Sequence, residues 1–186
     1  MNGNKMNDEA LKWNKTGERR LLDTPIFSVM GQEETAANGI TGEYISLEAP
    51  DCVVIVPVYG EDFVLVRQWR HGAGKLTTEF PGGVVDRGED PEAAALRELR
   101  EETGFEAGRI SLLGVVSPNP AIFRSRFFCY LAEELEPTGV QHLDRDELIS
   151  VFTRPVGEVI EGFGSEEYCH AFMGAALAFY LRNRGN

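Results

Sequence analysis

The chain has 186 residues, with 18 Lys and Arg against 30 Asp and Glu and a net charge of -12. One domain with an appendage is expected, and the charge argues against nucleic acid as a partner, because a phosphate backbone would be repelled at long range. A hydrophobic content of 42% excludes a disordered chain and is enough for a packed core.

The N-terminus, Met1 to Lys15, lacks the apolar segment of a secretory signal. The first fifty residues carry short apolar runs at Leu21-Leu22, Pro25 to Val29 and Tyr44 to Leu47, read as two or three strands. So small a piece cannot bury its own apolar face, so residues 1–48 are expected to form an appendage that packs on the main domain, 49–186, or on another subunit. A β-hairpin follows, Val53 to Val58 and Phe63 to Gln68, turning at Gly60-Glu61-Asp62. Further strands are expected at Thr77 to Phe80, Ser111 to Val116, Phe127 to Leu131 and Leu148 to Phe152. Helices are expected at Pro91 to Thr103 and Glu166 to Arg182, with a shorter one from Pro155. Together these predict an α+β or α/β fold with a mixed sheet covered by helices on both faces. The longest apolar stretches, Cys52 to Tyr59 and Ala171 to Leu181, fall short of the roughly 18 residues that span a bilayer, so no membrane association is expected. Cys52, Cys129 and Cys169 are scattered and odd in number, which suits a reducing cytoplasm.

The chemistry concentrates in Gly82 to Phe105, GGVVDRGEDPEAAALRELREETGF. Asp90 is the expected N-cap, Pro91 the first helical residue and Gly104 the terminator. At 100° per residue Glu98, Glu101 and Glu102 share an arc of about 100°. Like charges at this spacing cost about 0.2–0.5 kcal/mol per pair. Glu101 and Glu102 also sit at the negative end of the helix dipole, at a further cost of about 0.3–1 kcal/mol each. A hard divalent cation reverses both penalties, and Mg²⁺ binds through a few carboxylates together with substrate phosphates. Against this stands the plain alternative of a solvated acidic helix face.

The spacing decides between them. Gly83, five residues, Glu89, seven residues, then Arg97-Glu98-Leu99-Arg100-Glu101-Glu102-Thr103-Gly104-Phe105 resembles the complete Nudix hydrolase signature. Val66 to Arg70 followed by Glu79-Phe80-Pro81-Gly82-Gly83, with Pro120 sixteen residues past Gly104, looks like the ADP-ribose pyrophosphatase branch of that family. The resemblance implies an α/β/α sandwich with a mixed sheet, preceded by a small strand extension used for homodimer formation. It implies Mg²⁺, or Mn²⁺ in its place, held by Glu98 and Glu102 with Glu101 close by and the Gly83 carbonyl as a further ligand. Arg97 would pair with a carboxylate and hold the loop against the helix. The substrate would be a small nucleotide, contacted by Arg70 first and then by Arg67, Glu79, Arg126 and Pro120. The implied reaction is hydrolysis of a nucleoside diphosphate-linked compound, ADP-ribose above all. Another nucleoside diphosphate sugar or a nucleoside triphosphate is the alternative within the family, and a nucleotide-sensing module without turnover the alternative outside catalysis.

The chain departs from the branch in its late loop, Leu143 to Val151. There Arg145 falls where an acidic general base is usual, and Glu147 occupies the second acidic position. A guanidinium cannot accept a proton at neutral pH. The base is therefore expected to be Glu147, with Glu101 as its competitor and Asp144 and Asp146 as further substitutes. His71, His142 and His170 show no ligand spacing and are read as structural or surface residues. Trp69 is open to either base stacking or packing.

Overall fold

The computed structural model describes residues 7–145 and 147–185. They form two compact units, the chain up to Ala49 together with Asn119–Ser125, and Pro50–Pro118 with Arg126 onward.

The first unit is an antiparallel sheet of β1 (Trp13–Asp23), β2 (Ser28–Ala36) and β3 (Thr41–Glu48), in that order. The expected strand at Pro25 begins only at Ser28. Thr24 to Phe27 make the turn instead, with the Thr24 hydroxyl accepting the Phe27 N–H at 3.0 Å, in keeping with a proline that has no N–H to give a ladder. Met30 and Ala36 are its buried hydrophobics, so its own core is thin. The segment from Asn119 belongs here because the Leu47 N–H donates to the Ile122 carbonyl at 2.7 Å and the Arg124 N–H donates to the Leu47 carbonyl at 3.1 Å. Bonds between residues so far apart in sequence leave no trace in local pattern.

The second unit contains β4 (Cys52–Tyr59), β5 (Asp62–Arg70), β6 (Lys75–Glu79), α1 (Pro91–Thr103), β7 (Phe105–Val116), β8 (Phe127–Pro137), β9 (Ser150–Pro155), α2 (Val156–Gly162) and α3 (Ala171–Arg184). The sheet runs β6-β5-β4-β8-β7, with β9 on β5; β4 and β8 are parallel and the other pairs antiparallel. Alternation along β4 and β5 builds two cores. Val53, Ile55 and Val64 face Ala94, Ala95 and Leu99 of α1. Val54, Val56, Phe63 and Leu65 face Met173, Ala176, Leu177 and Tyr180 of α3. The result is an α/β/α sandwich.

Two differences from expectation shape the site. The β4–β5 hairpin pairs only at Val58–Phe63 and Tyr59–Asp62, then forks. The gap is filled by the segment after β6: Val53 N–H donates to the Gly83 carbonyl and Ile55 N–H to the Pro81 carbonyl, both at 2.9 Å. Gly82 lies so close to β4 that a Cβ would collide with the Val53 carbonyl. Helix α3 starts at Ala171 rather than Glu166, because Glu167 is used elsewhere. Its carbonyl accepts the Thr78 N–H at 3.0 Å, and its carboxylate takes Arg67 at 2.7 Å and the Thr78 hydroxyl at 2.8 Å.

Candidate active site

Helix α1 is capped as the sequence requires. Asp90 accepts from the Glu92 N–H at 2.9 Å, and Gly104 closes the helix in the left-handed region at φ 67°. The last carbonyls are also satisfied: His142 N–H donates to Glu101 at 2.9 Å and the Gln141 amide to Glu102 at 2.5 Å. The acidic end of α1 is thus pinned by residues 138–142.

Arg97 ties the loop to the helix. Its guanidinium binds Glu89 through Nε and Nη2, each at 3.0 Å, and the Val84 carbonyl at 3.0 Å. Nη1 reaches Glu98 at 2.8 Å and Glu101 at 3.0 Å. These bonds hold the Glu89 carboxyl below its ordinary range. Glu98 goes the other way, because burial outweighs its bond to Arg97. Glu102 is only 3% exposed, and burial pushes it up to about 8 despite the Gly82 N–H that it accepts at 2.9 Å. Glu98 and Glu147 add to that rise.

Glu147 therefore lies within electrostatic reach of both Glu98 and Glu102. Its carboxylate accepts the Asp144 N–H at 3.1 Å while its own N–H donates to the Asp144 carbonyl at 3.0 Å. Arg145 and Asp144 are exposed on the same loop, and Asp146 lies outside the described residues. Among the described residues no three His, Cys, Asp or Glu side chains are already arranged around one metal position. The donor set nonetheless suits a hard divalent cation: oxygen-only ligands, of which Glu102 is buried and Glu98 partly so, both raised first by burial and further by neighbouring carboxylates. Gly83 approaches so closely that a Cβ there would strike the Glu98 carboxylate. Its carbonyl already accepts from Val53, which uses one of its two lone pairs.

The residues expected to meet substrate divide. Arg70 binds Glu79 through two bonds of 2.9 and 2.6 Å. Glu79 is 2% exposed; burial opposes its charge, but the bonds from Arg70 and the Thr77 hydroxyl win and keep its pKa low. Arg70 and Glu79 line a cavity of about 280 Å³ that Gly82 and Gly83 also wall. Arg67 is tied to Glu167 and borders, with Glu147, a more open hollow beside Leu148. Arg126 is not in the cavity lining; it binds Asp51 at 3.1 and 2.8 Å and lies over the Phe128 ring. Pro120 belongs to the first unit, in a hollow with Tyr44, Phe123 and Arg124. Trp69 is half exposed on β5 opposite Leu76.

The cavity also contains His170, Phe172, Phe127 and Cys52, none of which sequence reasoning places in the site; there His170 reads as a structural or surface residue. His170 precedes α3 as its N-cap, and its Nδ1 is 3.7 Å from Glu79. Only the late start of α3 brings it there, and no spacing in the sequence signals that.

A sandwich whose glycine loop wedges into a forked sheet and faces a helix of clustered glutamates is the architecture of a Nudix hydrolase. The chain belongs to that family: the NUDIX domain model matches residues 49–169. It is 24% identical over 173 residues to an ADP-ribose pyrophosphatase of Bacillus subtilis (strain 168), covering 92% of this chain and 94% of that one. It is 30% identical over 118 residues to the ADP compounds hydrolase NudE of Escherichia coli (strain K12), covering 62% and 63%. A crystal structure of an ADP compounds hydrolase superposes with a TM-score of 0.82 at 25% identity, over 94% of this chain and 96% of that one. The similarity runs to the ADP-ribose pyrophosphatase branch.

Proposed function

We propose that this enzyme hydrolyses the diphosphate of a nucleoside diphosphate-linked compound, ADP-ribose first among them, to AMP and ribose 5-phosphate. The observation that carries the reading is buried Glu102 with partly buried Glu98, both raised by burial beside Glu147, an arrangement that is costly unless a cation completes it. Mg²⁺, with Mn²⁺ as a substitute, would neutralise the diphosphate and acidify the attacking water when bound. Glu98 and Glu102 would hold it, with Glu101 and the Gly83 carbonyl adjacent. Arg97 keeps Glu98 and Glu101 in place from the Glu89 side. Glu147 would take the proton of the water, since Arg145 cannot. The relatives named for ADP-ribose and ADP compounds support this substrate class over a nucleoside triphosphate, and the intact glutamates support turnover over mere sensing. Three free cysteines and the absence of any helix, among the described residues, long and apolar enough to cross a membrane support a cytoplasmic site of action.

The three-stranded unit, with Leu22, Ile26 and Ile40 each more than half exposed, supports a homodimer assembled through residues 1–48. Light scattering should give twice the chain mass at micromolar concentration, and a deletion of residues 1–48 should give the single mass; a monomer in both cases defeats this. The substrate reading is tested by a panel of nucleotides with Mg²⁺, read as phosphate released after phosphatase coupling. ADP-ribose should exceed every nucleoside triphosphate in kcat/KM.

A further inference from the structure

The last turn of α1 leaves carbonyls that have no partner within the helix. Three of them are met by one segment. Glu101 accepts the His142 N–H at 2.9 Å, and Glu102 accepts the Gln141 side-chain amide at 2.5 Å. Gly104 accepts both the Thr138 N–H at 2.7 Å and the Thr138 hydroxyl at 2.9 Å. The approach is close, since a Cβ on Gly104 would stand 3.1 Å from the Val140 carbonyl oxygen. Residues 138–142 thus run along the helix end that carries Glu101 and Glu102.

The same segment leads directly into the loop of Glu147, which ends at Ser150, where β9 joins β5 opposite Arg67. Apolar burial holds this stretch weakly: Val140 is 54% and Leu148 87% exposed, and a loop so little buried depends on its hydrogen bonds for its position. The bonds between Asp144 and Glu147, of 3.1 and 3.0 Å, close a turn within the loop. They fix Glu147 relative to Asp144, not relative to the helix. The tie to the helix is made just upstream, at Gln141 and His142. Position matters here, because Glu147 must stand close enough for Glu98 and Glu102 to feel its charge.

We propose that Gln141 is a positioning residue for the reaction: its amide fastens the Glu147 loop to the backbone of Glu102, so that the turn of α1 bearing the clustered glutamates also sets where the Glu147 carboxylate stands. The inference rests on the reading of Glu147 as the base. His142 bonds through its backbone, which any residue but proline supplies, whereas the Gln141 bond needs a side chain of this length with a donor at its end. Gln141 is itself exposed, so its replacement leaves both cores of the sandwich intact. What its loss costs is the alignment of a reacting group.

The test is a double-mutant cycle on the full chain, with Mg²⁺ and the best substrate of the nucleotide panel. Gln141→Met keeps the reach and lacks the donor; it should lower kcat about tenfold with KM within about twofold. Gln141→Lys, which restores a donor, should return kcat to within about threefold of the wild type. In a Glu147→Gln background, where the group to be aligned is gone, Gln141→Met should add a loss of less than about twofold. In EDTA and without substrate, amide hydrogen exchange of Gln141→Met should quicken about fivefold or more across residues 141–149 and stay unchanged across α1. Equal losses of kcat in both backgrounds, loop exchange that matches the wild type, or faster exchange in α1 as well would each make Gln141 a mere cap or a bystander and overturn the inference, while the reading of Glu147 as the base stands. Wild-type kcat for Glu147→Gln alone removes that reading and this inference with it.

Discussion

Two arginine–glutamate clusters lie in the same unit and behave in opposite ways. Around Arg97, one guanidinium serves Glu89, Glu98 and Glu101, with Glu102 buried behind them, and burial, helped by the neighbouring carboxylates, raises the carboxyl groups of Glu98 and Glu102. Around Arg70, one guanidinium meets one buried carboxylate, and Glu79 is lowered. Identical residue types thus give one cluster whose helix acids are raised and one whose acid is lowered. How fully a guanidinium compensates an acid under burial, rather than the presence of acids, sets the direction of the shift.

The sharpest way to break this contrast is at its most buried acid. Glu102→Gln should lower kcat by about a thousandfold or more while the helix stays folded, because a ligand is lost and a buried charge removed. Unchanged turnover at saturating Mg²⁺ would remove Glu102 from the site. Next in size is the base. Glu147→Gln should lower kcat by about a hundredfold with KM nearly constant, whereas Arg145→Ala should act mainly on KM. Wild-type kcat for Glu147→Gln across pH 6 to 9, with Glu101→Gln losing the basic limb, would move the proton to the helix.

Stability should show the contrast without any substrate. The folded pKa of Glu102, about 8, lies above the ordinary 4.5, so in EDTA its contribution is fully present below about pH 4.5 and lost as pH rises through 8, a drift of a few kcal/mol at most. Mg²⁺ should flatten the curve of Tm against pH, and so should Glu102→Gln. A metal-free Tm independent of pH over this interval in the wild type would mean that burial does not strain this acid. The smallest effect belongs to the balanced pair. Arg70→Ala strands a buried Glu79 and should cost about 2 kcal/mol, less than a fully buried pair because Arg70 is 41% exposed. Denaturant melts that match the wild type would show that Thr77 and His170 alone satisfy Glu79.

Much of this was legible in the chain. Helix α1, with its Asp90 cap, Pro91 start and Gly104 stop, follows from local chemistry, and so does the shared face of Glu98, Glu101 and Glu102, because helical periodicity is a property of neighbours in sequence. The strands were legible in kind but not in partnership. The hairpin that turns at Gly60 forks because β4 takes β8 on one edge and Pro81 and Gly83 on the other, and nothing within Val53 to Gln68 encodes those neighbours. The same holds for the start of α3, where Glu167 leaves the helix for Thr78 and Arg67, and for His170, which reaches Glu79 only as a result.

Short-range rules thus determined the acidic half of the site: capping, periodicity and charge spacing act over one or two turns of chain. The cavity half was decided by tertiary structure alone. It depends on which distant groups share a low-dielectric space, and tertiary packing is what sets Arg70 against Glu79 beside His170 and raises the carboxyl groups of Glu98 and Glu102.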